Sequence, residues 1–254
     1  VSVEKLLGLP HLGGSFRYTA VVGDSSPRQF EAQLAHYVKA GFSDFKIKLS
    51  GDRTRDLAKV NALAALGLAP QAVRADANNL WADADAAMGD LKALGFPFSA
   101  VEEPLRAGDY AGMRQIASSL DTKIILDESL LRQDQLALIG EAADCYIVNL
   151  RVSKMGGLLR SLELVRELRG RGVPIVVGAH VGETSMLTRA ALTVANSAHD
   201  ILIAQEGAFG THLLAHDVID PPLMFGGGGI LDTGPLALDR APGFGLRYRT
   251  SPVD

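Results

Sequence analysis

A polar or charged residue recurs every 24 to 29 positions through most of this 254-residue chain, at Lys48, Asp76, Glu102, Asp127, Arg151, His180 and Glu206. Each closes a short apolar or β-branched run, and these runs predict strands near 17–22, 43–48, 72–76, 98–102, 123–127, 145–150, 174–179 and 201–205. Between them the apolar period lengthens to that of a helix, near 27–40, 53–66, 81–94, 109–119, 131–140, 156–170 and 185–198. Eight βα units of even length predict an α/β fold, the (β/α)8 TIM barrel, whose active site lies at the C-terminal ends of its strands. An open doubly wound sheet would gather its ligand at one switch point and leave most strand ends apolar, whereas seven of the eight are polar here. Residues 1–212 are assigned to the barrel and 213–254 to a C-terminal extension. In that extension Gly226 to Gly229 read as a flexible turn, because no strand is expected before them and no helix after them to make a phosphate cradle.

Composition narrows the partners. With 47% hydrophobic residues the chain can bury a large core, and a net charge of −4 without any basic block argues against nucleic acid or an anionic membrane as partner. No apolar run reaches the ~18 residues of a membrane span, and the start has no signal-peptide pattern. Cys145 is the one cysteine, so no disulfide forms within the chain; its apolar surroundings predict a buried thiol. A cytoplasmic protein is expected.

The strand ends carry the chemistry. In Phe45-Lys46-Ile47-Lys48-Leu49, alternation places both lysines on one face and the three apolar residues on the other. Two inward ammonium groups are costly to desolvate without carboxylates nearby, and crowding of like charges favours the neutral amine that a base requires. Asp76, Glu102 and Asp127 end consecutive strands, and neighbouring strands lie about 4.8 Å apart. Alone, each carboxylate reads as well as a helix cap or an ion-pair partner. Together they repel unless a divalent cation binds them, and an all-oxygen set suits Mg2+, or Mn2+ as second choice. Glu103 and Glu128 follow two of these ligands directly and point the other way unless a bulge shifts the register. Asn78 is a supporting candidate that turn chemistry explains equally well.

In an eight-stranded barrel the second and sixth strands face each other, so Lys48 and Arg151 are expected to approach a substrate from opposite sides. Arg151 is always protonated; it can clamp a carboxylate but makes a poor base. His180, with Glu183 three residues on, reads either as a proton-transfer group or as a histidine satisfied by hydrogen bonds. Glu206 either orients a substrate carboxylate or pairs with Arg151.

The fragments FKIKL, RADANN, VEEPL, LDES, NLRVSKMGGL and AQEGAFG, in this order and spacing, resemble the muconate lactonising subgroup of the enolase superfamily, over a span from about Leu7 to Tyr248. That resemblance implies an enzyme that uses Mg2+ and a lysine base to take the proton α to the carboxylate of a small-molecule substrate, through an ene-diolate. By the same resemblance Lys48 is the base, Lys46 supports it, and Asp76, Glu102 and Asp127 hold the metal. Relatives of this kind assemble, so a homo-oligomer is expected.

Two departures qualify the resemblance. The lysine-based racemases carry a second lysine where Arg151 stands, and Lys154 lies beyond that point; a muconate cycloisomerase-like or dehydratase outcome is therefore favoured over a racemase or epimerase. The His180 and Glu206 pattern is similar to mandelate racemase, but Arg151 replaces the aspartate that would pair with the histidine. The second departure concerns the N-terminal α+β capping domain of the family: this sequence starts where that domain would end, and a longer protein that carries the cap is expected over one that lacks it, since an uncapped site would leave an ene-diolate open to water. A non-catalytic barrel scaffold is the alternative from another class.

Overall fold

The computed structural model describes residues 1–140, 143–238 and 240–249. Its helices and strands follow in the order α1 (Val3–Leu7), β1 (Ser15–Arg17), β2 (Ala20–Val22), α2 (Pro27–Lys39), β3 (Phe45–Lys48), α3 (Arg53–Ala65), β4 (Val73–Asp76), α4 (Ala84–Leu94), β5 (Ala100–Glu102) and α5 (Tyr110–Leu120). They continue with β6 (Lys123–Leu126), α6 (Leu136–Ile139), β7 (Tyr146–Leu150), α7 (Leu158–Gly170), β8 (Ile175–Val177), α8 (Ser185–Ser197), β9 (Leu202–Gln205) and β10 (Ile230–Asp232). Two compact units share these elements, one of residues 20–149 with 171–174, the other of 1–19, 150–170 and 175–254.

In the first unit β2 to β7 pair in parallel, each with the next in sequence. Three of the helices between them, α3, α4 and α5, start where an aspartate caps free amides: Asp52, Asp83 and Asp109 accept from the backbone of Arg55, Ala86 and Gly112 at 2.9–3.0 Å. Helix α4 stops at Gly95, whose φ of 66° suits a residue without a Cβ. Phe45, Ile47, Val73, Ala75, Ile124 and Ile125 are all fully buried. Each of the larger side chains contributes about 1.5–3 kcal/mol on leaving water.

In the second unit β8 and β9 pair in parallel and β1 pairs with β10 in antiparallel fashion. Arg189 of α8 is wholly buried; its guanidinium grips both oxygens of Glu4 at 2.8 and 2.9 Å and so ties α1 to α8. Burial alone would raise the Glu4 pKa, but the Arg189 and Thr193 donors override it and hold the carboxyl below its ordinary value.

Four local expectations change. The stretch 17–22 is two strands rather than one, because Tyr18 donates to Gly229 and Thr19 to Gln205, so the chain passes from one sheet to the other between them. The helix expected at 131–140 shrinks to four residues after a 3-10 turn at Gln133–Gln135. Gly226 to Gly229 lead straight into β10 through a tight turn, Gly226 donating to the Ile230 carbonyl at 2.7 Å. Cys145 is half-buried because it closes a 3-10 turn ahead of β7 rather than lying in the strand. Of the stretch 213–254, residues 239 and 250–254 lie outside the described residues. No helix among the described residues is long and apolar enough to cross a membrane.

Candidate active site

The parallel register sets Lys48 beside Asp76 and Asp76 beside Glu102, forming one row of charged side chains at the C-terminal ends of β3, β4 and β5. The two lysines share a face but differ in depth. Lys46 is 4% exposed; its ammonium donates to Glu102 Oε2 at 3.0 Å and lies 3.7 Å from Asp76 Oδ2. Lys48 is 38% exposed, lies 3.7 Å from the same Asp76 oxygen, and donates to Asn78 Oδ1 at 2.6 Å. That difference separates their chemistry: Lys46 is a buried counter-charge, whereas Lys48 can meet a small molecule. Asn78 sits at a φ of 46° and donates its backbone N–H to Asp76 Oδ1, so it touches both partners of the pair.

Asp127 stands one residue beyond β6, two past the register partner of Glu102, and is 1% exposed. Its backbone N–H donates to Glu103 Oε1 at 2.7 Å, as does that of Ser129, while the Ser129 hydroxyl donates to Oε2. Glu103 therefore works as a clamp on the segment carrying Asp127. A φ of 39° takes it out of strand alternation, which no residue pattern announces. Full burial pushes its carboxyl up to about 7, with the Ser129 and Asp127 donors pulling the other way. Glu128 is half-buried beside it.

Two further residues support the row. Asn149 of β7 donates Nδ2 to Glu102 Oε1 at 2.8 Å, so the two oxygens of Glu102 are taken by Asn149 and Lys46. Lys59 of α3, 2% exposed, donates to the Lys48 carbonyl at 2.7 Å and to Asp56 and Asp24 at 2.8 Å each. Asp56 in turn accepts from the backbone of Ser50 and Gly51, which fixes the chain as it leaves β3. The i, i+3 spacing of Asp56 and Lys59 on a helix was the only sequence signal for this network.

The donor set of Asp76, Glu102 and Asp127 fits a hard divalent cation in type and burial: three carboxylates, at most 2% exposed, on consecutive strands. Among the described residues no group of three or more such side chains already stands at ion-holding distances. Asp76 and Glu102 are joined instead through Lys46.

In the second unit Arg151 follows β7 and is half-exposed, and Glu206 follows β9 and is buried. His180 lies beyond β8 with its Nδ1 2.8 Å from Ser153 Oγ and 3.4 Å from Glu183 Oε1. Ser153 was not singled out by sequence, since a serine in a loop carries no distinguishing pattern.

Residues 29–251 match the enolase C-terminal domain-like family. The chain is similar to the L-Ala-D/L-Glu epimerase of Bacillus subtilis, 27% identical over 78% of this chain and 56% of that one; it thus spans about half the length of that relative. A solved dipeptide epimerase from Enterococcus faecalis V583, complexed with Mg and the dipeptide L-Leu-L-Tyr, is similar with a TM-score of 0.79 and 21% identity, over 91% of this chain and 64% of that one. Muconate lactonizing enzyme gives a TM-score of 0.81 and 22% identity, over 97% and 67%. These structures share the fold. The chain belongs to the mandelate racemase/muconate lactonising enzyme family of the enolase superfamily.

Proposed function

We propose that this protein is an epimerase or racemase that takes the proton α to the carboxylate of an amino-acid derivative, a dipeptide being the first class to test. The observation that carries the reading is the accessible Lys48 beside a buried Lys46, Asp76 and Glu102 row. This reverses the order expected from Arg151. That expectation placed cycloisomerase or dehydratase outcomes first, whereas the sequence relative reported above is an epimerase, and the solved structures, dipeptide epimerase and muconate lactonizing enzyme alike, are similar in fold alone. A non-catalytic scaffold is disfavoured, because nothing structural requires three carboxylates and two lysines to stay together at such desolvation cost.

In this reading the amine form of Lys48 accepts the α-proton and becomes the ammonium, its Nζ placed by Asn78 and its carbonyl by Lys59. Lys46 keeps a fixed positive charge at Asp76 and Glu102. Asp76, Glu102 and Asp127 would hold Mg2+, or Mn2+ in its stead, which when bound supplies the Lewis acidity that makes so weak a carbon acid reactive. Glu103 and Asn149 keep Asp127 and Glu102 in place, and Glu128 is a further supporting candidate. Of the candidates in the second unit, Arg151 and Glu206 suit binding of a carboxylate, and His180 suits proton transfer, for which an arginine is a poor base. A cytoplasmic, homo-oligomeric enzyme completes the proposal, to be checked by fractionation and light scattering.

Calorimetric titration with Mg2+ tests the metal. Binding at millimolar metal or below is expected for the native protein and its loss for Asp76→Asn with Glu102→Gln; absence of binding by the intact protein would remove the metal from the account.

A further inference from the structure

The loop leaving β7 and the loop leaving β8 bring Ser153, His180 and Glu183 together. Gly178 donates to the Leu150 carbonyl at 2.9 Å, which fixes the start of one loop on the other. Gly182, at a φ of 78°, then turns the chain so that Glu183 Oε1 returns to accept from the His180 backbone N–H at 2.9 Å. The same oxygen lies 3.2 Å from Ser153 Oγ and 3.4 Å from His180 Nδ1, while Ser153 Oγ lies 2.8 Å from Nδ1.

These three distances restrict where the protons can be. An ionised carboxylate only accepts, and a serine hydroxyl has one proton to give. If Ser153 gave it to Nδ1, Glu183 Oε1 would face two lone pairs, one on Oγ at 3.2 Å and one on Nδ1 at 3.4 Å. If Ser153 gives it to Glu183, Nδ1 must carry the ring proton and donate it to Oγ. Every contact is then between a donor and an acceptor. The ring is left with its free lone pair on Nε2, on a side chain that is 45% exposed.

We infer that Ser153 and Glu183 are positioning residues that lock neutral His180 in the Nδ1–H tautomer, leaving Nε2 as the ring's proton acceptor. The use of that acceptor rests on the reading of His180 as a proton-transfer group; the tautomer itself does not. Glu183 is linked to the ring through one hydroxyl, that of Ser153. Acting through Ser153, it orients the ring without touching a substrate.

The test is nitrogen NMR of the imidazoles in 15N-histidine-labelled protein, at a pH where the rings are neutral, with His180 assigned as the signal lost in His180→Gln. The expected result is a protonated shift at Nδ1 and a lone-pair shift at Nε2. Ser153→Ala and Glu183→Gln should each move the ring toward the Nε2–H form that free histidine prefers, and Ser153→Thr, which keeps the hydroxyl, should restore the native pattern. A native ring protonated at Nε2, or variants whose pattern does not change, would overturn the inference. No metal or substrate is needed, so failure here leaves the epimerase proposal standing. Turnover separates the other case: if dipeptides are epimerised, Ser153→Ala should lower kcat roughly tenfold at unchanged KM, within the range that positioned acid–base groups supply.

Discussion

The lysine and carboxylate row of the first unit and the Ser153, His180 and Glu183 group of the second are both polar clusters at strand ends, built in opposite ways. The row joins residues 26 to 56 positions apart through strand register, and its members other than Lys48 are almost wholly buried. The histidine group joins two loops, with Ser153 and His180 exposed and the Glu183 side chain 11% exposed, and depends on the turn at Gly182. Burial makes charge costly, so the row must remain balanced for the protein to fold, whereas the exposed Ser153 and His180 can be altered with little effect on stability. Stability and catalysis are thus expected to be coupled in the first cluster and separable in the second.

The largest effect that sharpens this contrast is on reaction. Lys48→Ala should lower α-proton exchange by ~10²–10⁴-fold or more, the range a positioned base supplies, while leaving the folded structure intact because this lysine is only partly buried. Lys46→Met should instead act on stability. It leaves Asp76 and Glu102 without their shared ammonium, a loss of about 3–5 kcal/mol in urea unfolding at unchanged m value. Saturating Mg2+ should recover part of that loss; no recovery would break the link between this row and a cation. Asn78→Gly keeps the left-handed backbone but removes the amide that holds Lys48, and should lower kcat roughly threefold to tenfold with KM unchanged. Ser153→Ala, at an exposed position, should change unfolding free energy by about 0.5 kcal/mol or less, as exposed substitutions usually do. A several-kcal/mol loss there would erase the difference between the clusters.

Much of the fold was legible because strand and helix periods are strong signals in long alternating stretches. The row was legible for the same reason: Lys46 and Lys48 are two apart on a strand, and three carboxylates end the next three runs. What stayed hidden depended on short elements or on backbone turns. Helix α1 has five residues and β10 three, too few for either period to register. Tyr18 and Thr19 read as mid-strand because nothing in an apolar run marks a change of partner. Glu103 looked like a rival ligand, and only its φ of 39° turns it into the clamp on the Asp127 segment. The Asn149 contact to Glu102 spans 47 positions and follows from tertiary packing alone.

The central claim is that Lys48 and the carboxylate row remove an α-proton. Incubating L-Ala-L-Glu and a panel of other dipeptides with the protein and Mg2+ in D2O, followed by proton NMR, tests it most directly. The account predicts loss of the α-proton signal of at least one dipeptide by exchange with solvent, dependent on Mg2+ and abolished in Lys48→Ala. Exchange that persists undiminished in Lys48→Ala, or that needs no divalent cation, would contradict it.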